Sequence, residues 1–249
     1  MNILVIGDAC KDVFHYGIST RLAPEAPAPV FNLLRSSENF GMAGNVCKNI
    51  ESIISKKKLK INVDLFCNEN WESIKKTRYV DDNSNHMFLR VDENDTEFKR
   101  CDVRSIKLSK YDLIVISDYN KGFLTEEDIK YISENHPLTI IDTKKKMDDW
   151  IKGCTFIKVN THEYEQNKKY IEKNLKKKTV ITLGKKGCLF DGNLWEVPEV
   201  AVKDVSGAGD SFLAGFSVYY LISSNIEFSI SFANECSTAV VQKRGVCVV

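Results

Sequence analysis

No apolar run in these 249 residues approaches the roughly 18 that a membrane-spanning helix needs, so no membrane partner is expected. Nor does the chain open on the charged head and apolar stretch of a signal peptide; Asn2 leads straight into a strand-like run, which points to a cytoplasmic protein. Paired cysteine motifs are missing as well. Cys10, Cys47, Cys67, Cys101, Cys154, Cys188, Cys236 and Cys247 are scattered without a Cys-x-x-Cys or a Cys/His cluster, and read as reduced, buried small hydrophobes. No second histidine stands at metal-ligand spacing from His162, which therefore reads as a helix-start surface residue. Neither charge sign prevails. With 35 Lys+Arg against 34 Asp+Glu the net charge is +1, and the lysine clusters 56–58, 144–146 and 176–178 lack interleaved aromatics, so no nucleic-acid partner is expected. Two phosphate-binding motifs are absent: Gly-x-x-x-x-Gly-Lys-Ser/Thr, and a Gly-x-Gly-x-x-Gly that follows a strand. That excludes a P-loop ATPase.

What is present is strand and helix in alternation. Asn2–Ile6 is a short apolar run ending in Gly7-Asp8, the way a buried parallel strand delivers a loop to the sheet edge where ligands bind. Asp8 and Asp12, four apart in that expected loop, can accept hydrogen bonds from polyol hydroxyls or simply cap turns. Three of the five prolines fall within Leu22–Phe31 and predict an extended edge segment. Gly41-Met42-Ala43-Gly44-Asn45 opens a helical pattern in which glycines admit a ligand and Asn45 offers donor and acceptor; an ordinary N-cap region fits the same residues. Arg78–Val80 and Met87–Asp92 predict a hairpin polar enough to be a lid. From Leu113 onward, strands at 113–117, 138–141, 155–159 and 179–183 alternate with helices such as 125–134, whose Thr125 and Asp128 stand at capping-box spacing. This predicts a parallel sheet with helices on both faces, in one main domain over 1–249. The strand ends gather Asp118 to Gly122, Asp142 to Lys144, and Asn160 to Glu163 on one edge, where Glu163 can reach a magnesium–phosphate group through water.

The chain centres on Asp204-Val205-Ser206-Gly207-Ala208-Gly209-Asp210-Ser211, expected to follow a strand at 196–203 and to open a buried helix at 212–222. Glycines here bring the free N–H groups of a helix start close to a ligand, and such an end prefers an anion. Asp210 sits where that end should favour its ionised form. A base beside an anion nest suggests phosphoryl transfer to a hydroxyl, although a tight turn whose Asp caps its helix fits the same residues.

Taken together these residues resemble the ribokinase-like sugar kinases, the PfkB family, over nearly the whole chain, and Asp204-x-x-Gly207-Ala208-Gly209-Asp210 is similar to that family's C-terminal signature. Gly7-Asp8 with Asp12 and Gly17, the proline segment Arg21–Val30, Lys76–Val80 with Leu89–Asp92, and Ser117–Gly122 resemble its D-glycero-β-D-manno-heptose 7-phosphate kinases. The resemblance implies an α/β fold, a ribokinase-like three-layer αβα sandwich with a mostly parallel central sheet. A small β lid of segments about 12–31 and 78–92 is expected to pair two copies as a homodimer.

The resemblance also implies roles. Asp210 would be the base, with Gly207, Ala208 and Gly209 as anion hole. Asp12, Gly41 and Asn45 would contact the sugar, with Asp8 and Asp118 on the same edge and Arg90 and Lys121 as cations for a phosphate the sugar already carries. Asn160, Glu163, Thr182, Gly184, Gly187 and Asn234 would surround ATP, Glu163 would serve Mg2+, and Asp204, Ser206 and Gly245 a monovalent cation such as K+. Met42 departs from the pattern by replacing the second glycine of a Gly-Gly pair, which is expected to push a side chain toward the sugar, and the chain is shorter than its relatives. Two other readings stay open: a kinase of another small sugar such as ribose or fructose, and a sugar- or nucleotide-binding protein without turnover.

Overall fold

The computed structural model describes residues 1–100 and 102–249. Its strands in chain order are β1 (Asn2–Gly7), β2 (Ala9–Leu22), β3 (Pro29–Met42), β4 (Asn62–Cys67), β5 (Lys75–Asp81), β6 (Met87–Glu93), β7 (Leu113–Asp118), β8 (Thr139–Thr143), β9 (Phe156–Asn160), β10 (Thr179–Thr182), β11 (Cys188–Phe190) and β12 (Asn193–Trp195). Its helices are α1 (Ala43–Lys57), α2 (Glu126–Asn135), α3 (Thr161–Asn174), α4 (Ala208–Ser223) and α5 (Ile226–Val241).

The larger sheet runs β12-β11-β10-β9-β8-β7-β1-β4, parallel from β4 to β10 and closed by two antiparallel strands. Its strands are apolar on both faces because both are covered. On β1, Ile3 and Val5 face a core with Val46, Ile50, Phe212, Phe216 and Ile230 from α1, α4 and α5; Leu4 and Ile6 face the other, with Ile129, Ile132 and Ile171 from α2 and α3. The expected fold class holds. The Thr125–Asp128 capping box is formed, and Asn225 caps α5. Among the described residues no helix is long and apolar enough to cross a membrane.

The second sheet, β3-β2-β5-β6, grows directly out of β1 across Asp8. Its strands reach beyond the expected 12–31 and 78–92, and Asp12 lies within β2 rather than in a loop. Only the ends of the expected edge segment, Leu22 in β2 and Pro29–Phe31 in β3, join strands; residues 23–28 bend between them, where proline cannot donate to a ladder. The strand expected at 196–203 does not form either. The sheet ends at β12, Pro198 has no N–H to give, and the segment instead lines a cleft. The seven described cysteines are free, but Cys67 and Cys247 are only half-buried, and the reading of Cys101 lies outside the described residues.

Candidate active site

The start of α4 gives the sheet edge its chemistry. Gly207 caps the helix at φ 79, and a Cβ there would lie 2.9 Å from Asn45 Nδ2, so conformation and space both call for glycine. Asp204 ties the preceding turn down: its Oδ1 accepts from Ser206 N at 2.9 Å and its Oδ2 from Gly245 N at 3.0 Å. Ala208 N donates to Val205 O at 3.2 Å, whereas the amides of Gly207, Gly209 and Asp210 have no acceptor among the described residues. Of the three residues expected to form an anion hole, Ala208 has its amide engaged by the turn, while the neighbouring amide of Asp210 is open like those of Gly207 and Gly209.

Asp210 itself is buried, with Asn45 Nδ2 donating to its Oδ2 at 2.7 Å and the Tyr119 hydroxyl donating to its Oδ1 at 2.8 Å. The expectation that the helix end keeps this carboxyl low fails. Burial pushes its pKa up to about 6, and the hydrogen bonds from Asn45 and Tyr119 recover only part of that. Asn45, expected at the sugar, is a partner of the Asp210 carboxylate, held in turn by Asn49 Nδ2, which donates to its Oδ1 at 3.1 Å.

Three lysines, of which only Lys144 was expected to be available to a ligand phosphate, crowd the same edge. Lys158 Nζ donates to Asp142 Oδ2 at 2.6 Å in a buried pair and stands 3.0 Å from where a Cβ on Gly209 would be. Lys144 bridges Asp142 at 3.2 Å and Glu163. Burial opposes the charges of this group, but the lysines hold the Asp142 carboxyl below its usual value, and Asp142 and Glu163 hold Lys144 above its own. Lys145 reaches Asp118 at 2.7 Å. Glu163 completes a capping box with Asn160, accepting from Asn160 N at 2.8 Å. These carboxylates are hard oxygen donors already balanced by lysine, a set that fits a magnesium ion held mainly by nucleotide phosphates and water. Among the described residues no three His, Cys, Asp or Glu would hold a metal by themselves. The Asp204 oxygens each keep a free lone pair, which fits an alkali cation.

Two adjoining clefts meet at Thr182, Gly184, Val205 and Gly209. One, of about 530 Å³, holds Asp210, Tyr119, Lys144, Lys158 and Asn160; the other, of about 470 Å³, is walled by Val197, Val202, Phe212 and Val241 with Gly187 and Asn234. Thr182, Gly184, Gly187 and Asn234, expected around ATP, thus line one apolar slot.

On the second-sheet side, Asp12 Oδ1 accepts from Arg78 Nη1 at 2.5 Å, and a Cβ on Gly41 would run into the Asp12 carboxylate. Asp8, expected at the sugar, is fully buried and engaged with the chain itself: it accepts from the amides of Tyr119 at 2.7 Å and Phe123 at 3.3 Å and holds the 119–123 loop. Asp118 is likewise spent on Lys145, Thr143 and Asn120 N. Arg90 forms a two-point pair with Asp92 at 2.7 and 2.9 Å, and Lys121 pairs with Asp95. Met42 keeps the backbone of a glycine, φ 57 and ψ −130, and its side chain is buried against Cys10, Ile74, Phe98 and Tyr119. Tyr119 and Lys158 were legible only in part: one follows Asp118 at a strand end, the other is a lone charge inside the apolar run Phe156–Asn160.

The profile described as pfkB family carbohydrate kinase matches residues 48–248. The bifunctional protein HldE of Helicobacter pylori strain J99 is 30% identical over 292 aligned positions, covering 98% of this chain and 63% of the relative. The chain therefore spans less than two thirds of the length of that protein. Among solved structures, phosphofructokinase-2 from Escherichia coli in complex with potassium superposes with TM-score 0.69 at 13% identity, covering 100% of this chain and 94% of the other. Ribokinase of Arabidopsis thaliana complexed with ribose and ATP gives 0.66 at 15%, covering 98% and 93%. These two likenesses establish the fold.

Proposed function

Since the chain belongs to the pfkB family of carbohydrate kinases, we propose that it moves the γ-phosphoryl group of ATP to a sugar hydroxyl, the anomeric hydroxyl of a heptose 7-phosphate. What supports this most is a carboxylate of raised pKa, Asp210, beside unpaired amides and a buried lysine. At neutral pH Asp210 is mostly ionised and accepts the hydroxyl proton as the sugar oxygen bonds to phosphorus and the bond to the β-phosphate oxygen breaks. Asn45 and Tyr119 hold the carboxylate in place. The amides of Gly207, Gly209 and Asp210, with Lys158, face the charge on the transferring group, and Asp142 holds Lys158 in place. The Val197–Val202 side takes the nucleotide base, and Asp12, with Gly41 leaving room, takes sugar hydroxyls. Magnesium, when bound through Glu163 and Asp142, supplies neutralisation of the nucleotide phosphates.

One observation favours a second reading, a kinase of an unphosphorylated sugar: Arg78, Arg90 and Lys121 are each already paired with a carboxylate. We further propose that two copies pair through the second sheet, whose edge strands β3 and β6 expose Leu33, Leu34, Leu89 and Val91. A coupled assay of ADP release over matched phosphorylated and unphosphorylated sugars tests the activity. Turnover is expected for a sugar phosphate; nucleotide and sugar binding without ADP release rejects the kinase reading.

A further inference from the structure

Resting on the kinase reading above, we propose that Lys76 and Lys121 form a seat for a phosphate monoester that the sugar carries away from its reacting hydroxyl, and that Asp95 is a displaceable carboxylate occupying that seat until the substrate arrives. Asp95 spreads its two oxygens over the two ammonium groups, Oδ1 toward Lys76 and Oδ2 toward Lys121. Two oxygens on one centre, each meeting one lysine, is also how a phosphate would sit. The surroundings carry one positive charge too many for the carboxylates present: Lys76, Arg78, Arg90 and Lys121 face Asp12, Asp92 and Asp95. A dianion balances this better than Asp95 does. Lys76 is 7% exposed, and a lysine so buried needs a permanent counter-ion; Asp92, at 3.4 Å, is the poorer of its two partners.

Position agrees. Lys76 lies opposite Asp12 in the β2–β5 register, and Lys121 is two residues beyond Tyr119, which touches Asp210, so the seat lies alongside the sugar contacts. Asp95 comes from the turn after β6, whose backbone is fastened independently: Asn94 Nδ2 donates to Ser73 O at 2.8 Å, and Asn70 Nδ2 to Glu97 O at 2.7 Å. Its side chain can therefore swing away while the turn stays put. Arg90, half-exposed and tied two-fold to Asp92, is a flank of this seat and not its anchor.

The test is calorimetric titration of inorganic phosphate into wild type, Asp95→Asn, Lys121→Met and Lys76→Met, with a non-hydrolysable ATP analogue present to close the amide nest. Asp95→Asn removes the competitor without removing a cation, so phosphate should bind about tenfold tighter, and both lysine variants should bind it about tenfold more weakly or worse. Lys76 is buried and its replacement loads the fold; the more exposed Lys121 provides the independent reading. In steady-state kinetics Asp95→Asn should lower KM for a phosphorylated sugar and leave the unphosphorylated form unchanged. Phosphate affinity that is unchanged or weaker in Asp95→Asn, or indifferent to both lysine variants, overturns the seat. Failure of the ATP analogue to bind counts against the kinase reading instead, and the differences among variants still read the seat.

Discussion

Removing the Tyr119 hydroxyl should move the pH profile of this enzyme in a known direction. Asp210 must be ionised to accept a proton, and burial places its pKa at about 6, so kcat should fall about tenfold for each pH unit below that point. The Tyr119 hydroxyl, 2.8 Å from Oδ1, is one of two side-chain donors that lower this pKa against the larger effect of burial. Tyr119→Phe deletes it and leaves the ring packed, so the acid limb should shift to higher pH, with kcat at pH 8 less affected than kcat at pH 6. Asp210→Asn should flatten the limb and cost on the order of a hundredfold to ten-thousandfold in kcat. A stability effect of opposite sign accompanies it. The folded-state pKa is raised above the ordinary carboxylate value of 3.8, so the contribution is full below that value and is lost as pH rises through about 6; the gap corresponds to about 3 kcal/mol. Relative to wild type, the Asn variant should therefore gain resistance to urea between pH 4 and pH 8. The assays are kcat across pH 5–9 and urea midpoints at the two pH extremes. A limb that stays in place or moves to lower pH in Tyr119→Phe, with the protein folded, would refute the assignment.

Lys158 stands over Gly209, so Lys158→Met should cut kcat on the order of a hundredfold with the circular dichroism of a folded protein; an unchanged kcat would remove it from the phosphoryl site. At Met42 the usual order of substitutions should invert. Met42→Ala loses buried contacts and keeps a backbone suited to glycine, whereas Met42→Gly loses the same contacts and relieves about 1 kcal/mol of strain, so Gly should denature later than Ala. The reverse order would show that φ 57 is not strained there. Leu33→Glu with Leu89→Glu should convert a dimer to a monomer in light scattering, and a wild type that is already monomeric at working concentration rejects the pairing.

The alternation of apolar strands and capped helices was plain in the sequence because each strand end and each cap is a local event: Thr125 with Asp128, Gly207 before α4. What could not be read was which polar groups would spend themselves on one another. Asp8 and Asp118 stand at strand ends like ligand residues, yet their oxygens go to the 119–123 loop and to Lys145, contacts that depend on how neighbouring strands are ordered. The pKa of Asp210 was misjudged for a related reason: the helix start is local, whereas the burial that outweighs it comes from packing against α1 and the loop after β7. Val197, Val200 and Val202 look like half of a strand, but with the sheet ending at β12 they line an apolar cleft instead.

The most direct test is phosphorus NMR of the reaction of wild type and Asp210→Asn with ATP, magnesium and a heptose 7-phosphate. The account predicts that wild type forms a bisphosphate whose new phosphorus couples to the anomeric proton, with ADP in equal amount, and that Asp210→Asn forms it at least about a hundredfold more slowly. ADP without a phosphorylated sugar, or equal rates from the two proteins, would contradict it.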